Sequence, residues 1–143
     1  MRIVDVLNAK DARGVVTISP EAGVRELLAA LAEHNVGALV VSHDGVRLEG
    51  IVSERDVVRH LHHDGTVIHN TVGAIMTGEV ETCAPEDDLD VLMEVMTRRR
   101  FRHVPVVSGE ELVGIVSIGD VVKHKLSQLE YEREQLENYV HQQ

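Results

Sequence analysis

A chain of 143 residues is long enough for one ordinary domain, or for two small halves that share a core. Its 24 acidic and 14 basic side chains, a formal charge of −10, argue against a nucleic-acid or anionic-membrane surface, because phosphate binding needs clustered Lys and Arg. With 43% hydrophobic residues the chain should fold as a globule, whereas 2% aromatics and no Trp remove stacking platforms, and the lone Cys83 rules out an internal disulfide or a thiolate metal cluster. No apolar stretch approaches membrane-spanning length and no charged n-region opens the chain, so a soluble cytoplasmic protein is the expectation.

In chain order, residues 3–7 read as the start of a short apolar helix and residues 10–14 as a polar turn. Val15-Val16-Thr17-Ile18 reads as a strand, and Ser19-Pro20-Glu21 suits an N-cap and first helical turn. Val24, Leu27, Leu28 and Leu31 then form one face of an amphipathic helix reaching about His34. Residues 36–41 are a continuous apolar run of buried-strand type, Ser42-His43-Asp44-Gly45 is a turn, and residues 48–52 return as the second strand of a hairpin. Helix follows over residues 57–61.

The same order begins again at Val80. Thr17-Ile18-Ser19-Pro20-Glu21 matches Thr82-Cys83-Ala84-Pro85-Glu86 at an offset of 65 residues, from Thr17 to Thr82, and Val24, Leu27, Leu28 and Leu31 match Leu89, Leu92, Met93 and Met96. One residue is lost near Ser108-Gly109-Glu110, after which Gly50-Ile51-Val52-Ser53-Glu54-Arg55-Asp56 returns as Gly114-Ile115-Val116-Ser117-Ile118-Gly119-Asp120, an offset of 64 from Gly50 to Gly114. This is an internal duplication. The predicted fold is α/β, two β-α-β-β-α repeats packed on a pseudo-twofold axis plus a C-terminal helix. Its segments are an N-terminal stretch 1–13, repeats at 14–63 and 78–126, a connector 64–77 holding Val72, Ile75 and Met76, and a helix at 127–143.

Each Gly-Ile-Val-Ser-x-x-Asp phrase places a strand directly before a helix, with a hydroxyl three residues ahead of a carboxylate. Such a pair can hold a diol beside the partly positive end of the helix; equally, Ser can cap the helix with Asp in its first turn. The residues alone leave both readings open.

These phrases, with Thr-x-x-Pro, the Val36-Gly37-Ala38-Leu39-Val40 and Arg102-His103-Val104-Pro105 strands, and Ile75-Met76-Thr77 in the connector, resemble a tandem pair of CBS domains over roughly residues 14–126. The resemblance implies a disc with two clefts and an adenine-containing ligand: AMP as the first choice, or ADP, ATP, NAD or S-adenosylmethionine. It implies a main cleft in which Ser117 and Asp120 hold ribose hydroxyls, Thr17, Ile18, Ala22, Val36, Gly37 and Ile115 shelter the base, and Arg102 and His103 clamp phosphate, with Gly119 leaving room for the anion. The second cleft would use Ile51, Ser53, Arg55, Asp56, Thr82, Asp87 and Phe101, and could equally be a closed, empty pseudo-site. On this arrangement Asp120→Ala costs more AMP binding than Asp56→Ala.

Arg98, Arg99 and Arg100 read as a solvated helix end. The histidines at 60, 62, 63 and 69 lack a ligand-spaced carboxylate motif and read as solvated, so no metal is expected. Val122, Leu126, Leu129, Leu136 and Val140 form a heptad ladder broken by Arg133. That stripe could dock on its own domain or pair in a homodimer, and its extension beyond the repeat favours the homodimer. Together these readings imply a regulatory nucleotide-binding module acting on an unknown partner and not an enzyme. The alternatives are a structural dimerisation protein with vestigial clefts and a small nucleotide-processing enzyme; no Walker loop or nucleophile elbow supports the latter.

Overall fold

The computed structural model describes residues 1–10 and 15–142. Of the predicted polar turn, residues 11–14 lie outside that set. In the first repeat, β1 (Thr17–Ile18) runs parallel to β2 (Ala38–Val41), which pairs antiparallel with β3 (Gly50–Ser53). All four residues of β2 are buried, as expected of a central strand covered on both faces. The strand β1 is shorter than the predicted four residues. Ser19 and Pro20 do not open the helix: Ala22 N–H donates to Ser19 O in a turn, and α2 (Val24–His34) starts after Gly23. Val24, Leu27 and Leu31 are buried on its inner face, whereas Leu28 is exposed.

The second repeat repeats this plan with one reduction. The helix α5 (Leu89–Arg99) precedes a hairpin of β4 (His103–Ser108) and β5 (Glu111–Ser117). Its first strand shrinks to a single parallel bridge from Cys83 to Val106. The helix α3 (Glu54–His63) leaves β3 directly, and α6 (Ile118–His141) leaves β5 in the same way. The predicted C-terminal helix is present as the far end of α6, which runs unbroken through residue 127.

Two short helices tie the repeats together by exchange. The helix α1 (Ile3–Asn8), which precedes the first repeat, buries Ile3 and Val6 in the second repeat's core with Leu89, Met96, Val104 and Val116. Conversely α4 (Val72–Ile75), following a 3₁₀ turn at Gly65–His69, buries Val72 and Ile75 in the first repeat's core with Val24, Leu27, Leu39 and Val52. The backbone bonds are duplicated as well. Ile3 and Val4 N–H donate to Asp87 and Pro85 O, while Val72 and Gly73 N–H donate to Ala22 and Pro20 O. Each helix also lies on a strand glycine of the other copy: a Cβ on Gly114 would come within 2.6 Å of Leu7 Cδ2, and one on Gly50 within 2.7 Å of Met76 Sδ and 2.8 Å of Thr77 O. Apolar burial of this kind supplies most of the driving force that a fifty-residue half cannot raise alone.

Candidate functional site

Both Ser-x-x-Asp phrases fold as capping boxes. Ser117 Oγ accepts from Asp120 N–H at 3.1 Å and Asp120 Oδ2 accepts from Ser117 N–H at 2.9 Å; the equivalent Ser53 and Asp56 distances are 3.3 Å and 2.8 Å. Satisfying the first-turn donors in this way fixes each carboxylate at a strand-to-helix junction. Only Oδ2 is engaged, so among the described residues Oδ1 of each Asp has no hydrogen bond and is available to a ligand hydroxyl.

Two clefts of about 670 and about 760 Å³ open near these junctions: Ser53 and Asp56 line the second, whereas the expected Ser117 and Asp120 do not line the first, and Asp120 is joined to its wall only through Lys10. The first is lined by Val15, Val16, Val36, Ala38 and Val40 of the first repeat, by Val113, Gly114 and Ile115 of the second, and by Leu7, Asn8 and Lys10. The second is lined by Ile51, Ser53, Arg55, Asp56 and Arg59 of the first repeat, and by Val80, Glu81 and residues 99–103 of the other. Each cleft therefore combines the Gly-Ile-Val phrase of one repeat with strand ends of the other.

The expected residues divide unevenly. Val36 and Ile115 line the first cleft, and Lys10 at its wall bonds Asp120. Ile51, Ser53, Arg55, Asp56 and Phe101 line the second. Thr17, Ile18 and Ala22 do not line the first cleft; Ile18 and Ala22 pack against the first repeat's core, and Val15 and Val16 take the wall. Nor do Thr82 and Asp87 line the second, where Val80 and Glu81 stand at the matching positions; Asp87 instead accepts from Ala84 N–H at 2.8 Å. Gly119 is exposed, and a Cβ there would meet only Ser117 Oγ at an ordinary 3.6 Å.

The larger difference concerns phosphate-binding charge. Gly37, Arg102 and His103, expected beside Asp120, line the Asp56 cleft, because the start of β4 packs against the first repeat at Gly37, where a Cβ would meet His103 Cε1 at 3.5 Å. Arg99 and Arg100 join them there, so they are not merely a solvated helix end. Arg99 is held by Glu81 at 2.9 Å and lies 5.1 Å from the Phe101 ring centroid. Five arginines, Arg55, Arg59, Arg99, Arg100 and Arg102, thus face one cleft.

His103 sits opposite Ser117 in the hairpin register and also lines the Asp56 cleft, so it stands between the two sites. Burial lowers its pKa, Lys10 and Arg102 add to this, and Asp120 and Glu54 oppose it only in part. His103 is therefore a neutral donor near neutral pH, not the expected extra cation. For Asp120 burial acts upward, but the Lys10 ammonium and the Ser117 groups outweigh it and hold the carboxyl below its ordinary range. Burial, with Asp87 nearby, pushes the Cys83 thiol up to about 12, which leaves it unreactive. His60, His62, His63 and His69 are exposed, and no group of three or more potential metal ligands comes together among the described residues.

Sequence reasoning missed Lys10, Val15, Val16, Arg59, Val80 and Glu81. The repeat offset of 65 pairs Val15 and Val16 with Val80 and Glu81, which was the available signal; nothing in the chain pointed to Lys10.

This is a tandem-repeat α/β fold with two clefts, each walled by both copies. The chain belongs to the CBS-domain family, whose model matches residues 9–63 and 72–127. It is 46% identical over 101 residues to an uncharacterized 33.4 kDa protein of Thermofilum pendens, covering 71% of this chain and 33% of that protein's length. The crystal structure of a CBS-domain containing protein from Agrobacterium tumefaciens superposes with a TM-score of 0.82 at 39% identity, over 87% of this chain and 99% of the other. A CBS domain pair solved with 5′-methylthioadenosine and S-adenosyl-L-methionine shares the fold, with a TM-score of 0.76 at 24% identity over 86% of this chain and 98% of the other.

Proposed function

We propose that the chain is a regulatory module that binds adenine nucleotides across its two repeats and passes occupancy to a second copy or to another protein. The observation that carries this reading is the pair of clefts walled by both repeats, one lined by the Ser53 and Asp56 capping box and the other joined through Lys10 to the equivalent carboxylate of Asp120. A carboxylate with one oxygen available suits a ribose diol, and aliphatic walls suit a base in a chain with so few aromatics. The same fold has been solved around adenosine-type ligands in the domain pair described above.

The arginines support a division of the phosphates between the clefts. With five guanidinium groups on its walls, the Asp56 cleft favours the longer phosphate chain of ATP, ADP or NAD, and AMP fits the Asp120 cleft, where Lys10 is the one cation on the wall among the described residues. The clefts act as binding sites with no covalent step, since both carboxylates serve as caps and diol acceptors. A ligand that touches both repeats stabilises only the arrangement in which its contacts are close, and that differential affinity is the signal. Ser117 caps the helix α6 and Asp120 lies in its first turn, so occupancy of the Asp120 cleft acts directly on the base of a helix whose outer stripe is open to a partner.

Calorimetric titration tests the assignment. Asp56→Ala should weaken ATP by about 10- to 100-fold, the cost of losing hydrogen bonds to a charged group, and more than Asp120→Ala does. The reverse ranking would mean that the arginine-lined cleft is not the polyphosphate site.

A further inference from the structure

We infer that Lys10 makes the Asp120 cleft selective for anionic nucleotides over neutral nucleosides. The inference rests on the nucleotide reading above and adds a ligand class to one of its two sites. Lys10 Nζ donates to Ile115 O at 2.8 Å and to Asp120 Oδ2 at 2.8 Å, with the two charged side chains 28% and 23% exposed. The ammonium therefore spans from the β5 backbone to the first turn of α6. A sugar reaching the carboxylate from the apolar cleft has to pass through that place.

Among the described residues the other copy has no equivalent contact on Asp56. Leu7 and Met76 cover the equivalent glycines Gly114 and Gly50, and three residues after each stand Lys10 and Glu79. Lys10 lines the first cleft and Glu79 the second, so the same position carries opposite charge at the two sites. Duplicated geometry with inverted charge is what separates the clefts chemically.

A diol whose two hydroxyls take both oxygens of Asp120 must displace the ammonium from Oδ2 and leave a half-buried charge without its charged partner, which is costly. A neutral nucleoside bears that cost in full. A nucleotide supplies a phosphate oxygen as the new partner, and a charge-assisted bond replaces the one lost. One side chain thus opposes nucleosides and favours nucleotides at the same site.

The test uses the full chain carrying Asp56→Ala, which silences the other cleft, with AMP and adenosine titrated calorimetrically. This protein should prefer AMP by at least ~10-fold. Adding Lys10→Met, which keeps the apolar stem, should bring the preference to within about threefold, as adenosine gains and AMP loses. Lys10→Arg, which keeps the charge, should retain the preference. An AMP-to-adenosine ratio that Lys10→Met leaves unchanged overturns the assignment while the nucleotide reading stands, and so does a ratio that collapses equally in Lys10→Arg. No binding of AMP to the wild-type chain overturns both.

Discussion

Arg100 and Asn35 occupy the same position in the two repeats, each ending its helix in the left-handed region with φ of 59° and 52°. Asn tolerates that conformation through its short polar side chain, whereas Arg gains nothing from it and bears a steric cost on the order of 1 kcal/mol. Arg100 also lines the Asp56 cleft, and on the proposed function its charge there offsets that cost. Arg100→Asn should therefore raise stability by roughly 0.5–1 kcal/mol in chemical denaturation while weakening ATP, and a variant that gains stability without losing affinity would separate strain from binding. His103 makes a second prediction. Its folded pKa lies below the ordinary 6.5, so between those two values the unfolded chain binds more protons. Stability is present above 6.5 and is lost as pH falls through that window, levelling off below the folded pKa. Denaturant midpoints between about pH 7.5 and about pH 5.5 should fall more for the wild type than for His103→Asn, and parallel curves would count against it.

Among the elements, the exchanged helices α1 and α4 hold the two halves in register. Gly50 meets a backbone oxygen, Thr77 O, as well as Met76, and backbone cannot swing aside as a side chain can. Gly50→Ala should therefore cost roughly 1–3 kcal/mol by overpacking and should lower affinity at both clefts, because α4 sets the approach of one repeat to the other. A neutral substitution would show that the connector is not a structural tie. This exchange was only half legible beforehand. The duplicated Gly-Ile-Val-Ser-x-x-Asp phrases, the buried β2 run and the α2 and α5 faces could be read from period and offset, since burial imposes those patterns on any chain. The connector's Val72-x-x-Ile75-Met76 echoes Ile3-x-x-Val6-Leu7, but the five-residue pattern is short and its distance to the next strand differs between copies, so the eye passes over it. Which side of a strand faces which cleft was less legible still. A reading anchored on Thr17 and Thr82 falls too far along the chain, because Val15, Val16, Val80 and Glu81, ahead of the paired residues, form the walls. The placing of Arg102 and His103 depends on how the copies cross, which no single repeat encodes.

For the molecule as a whole, α6 is where site and surface meet. Leu126, Leu129, Leu136 and Val140 are 56%, 52%, 66% and 66% exposed, so the apolar ladder does not dock on its own repeats. Lys125 ties the helix base to Asp90 on α5 at 2.8 Å, and beyond that point the stripe is left for another surface. A heptad seam of this length suits a second α6, and Leu129→Glu with Leu136→Glu should convert a sedimenting dimer to monomer without shifting the melting temperature of the repeats. A wild-type chain that sediments as a monomer at all concentrations would instead leave the stripe to a different protein. The central claim is that adenine nucleotide lies between the repeats, held by two carboxylates whose positions the duplication fixes. Native mass spectrometry of the full chain with added ATP tests it most directly. The wild-type protein should carry bound nucleotide and the Asp56→Ala, Asp120→Ala double variant, folded by circular dichroism, should carry none. Equal nucleotide on both proteins, or none on the wild type, would contradict it.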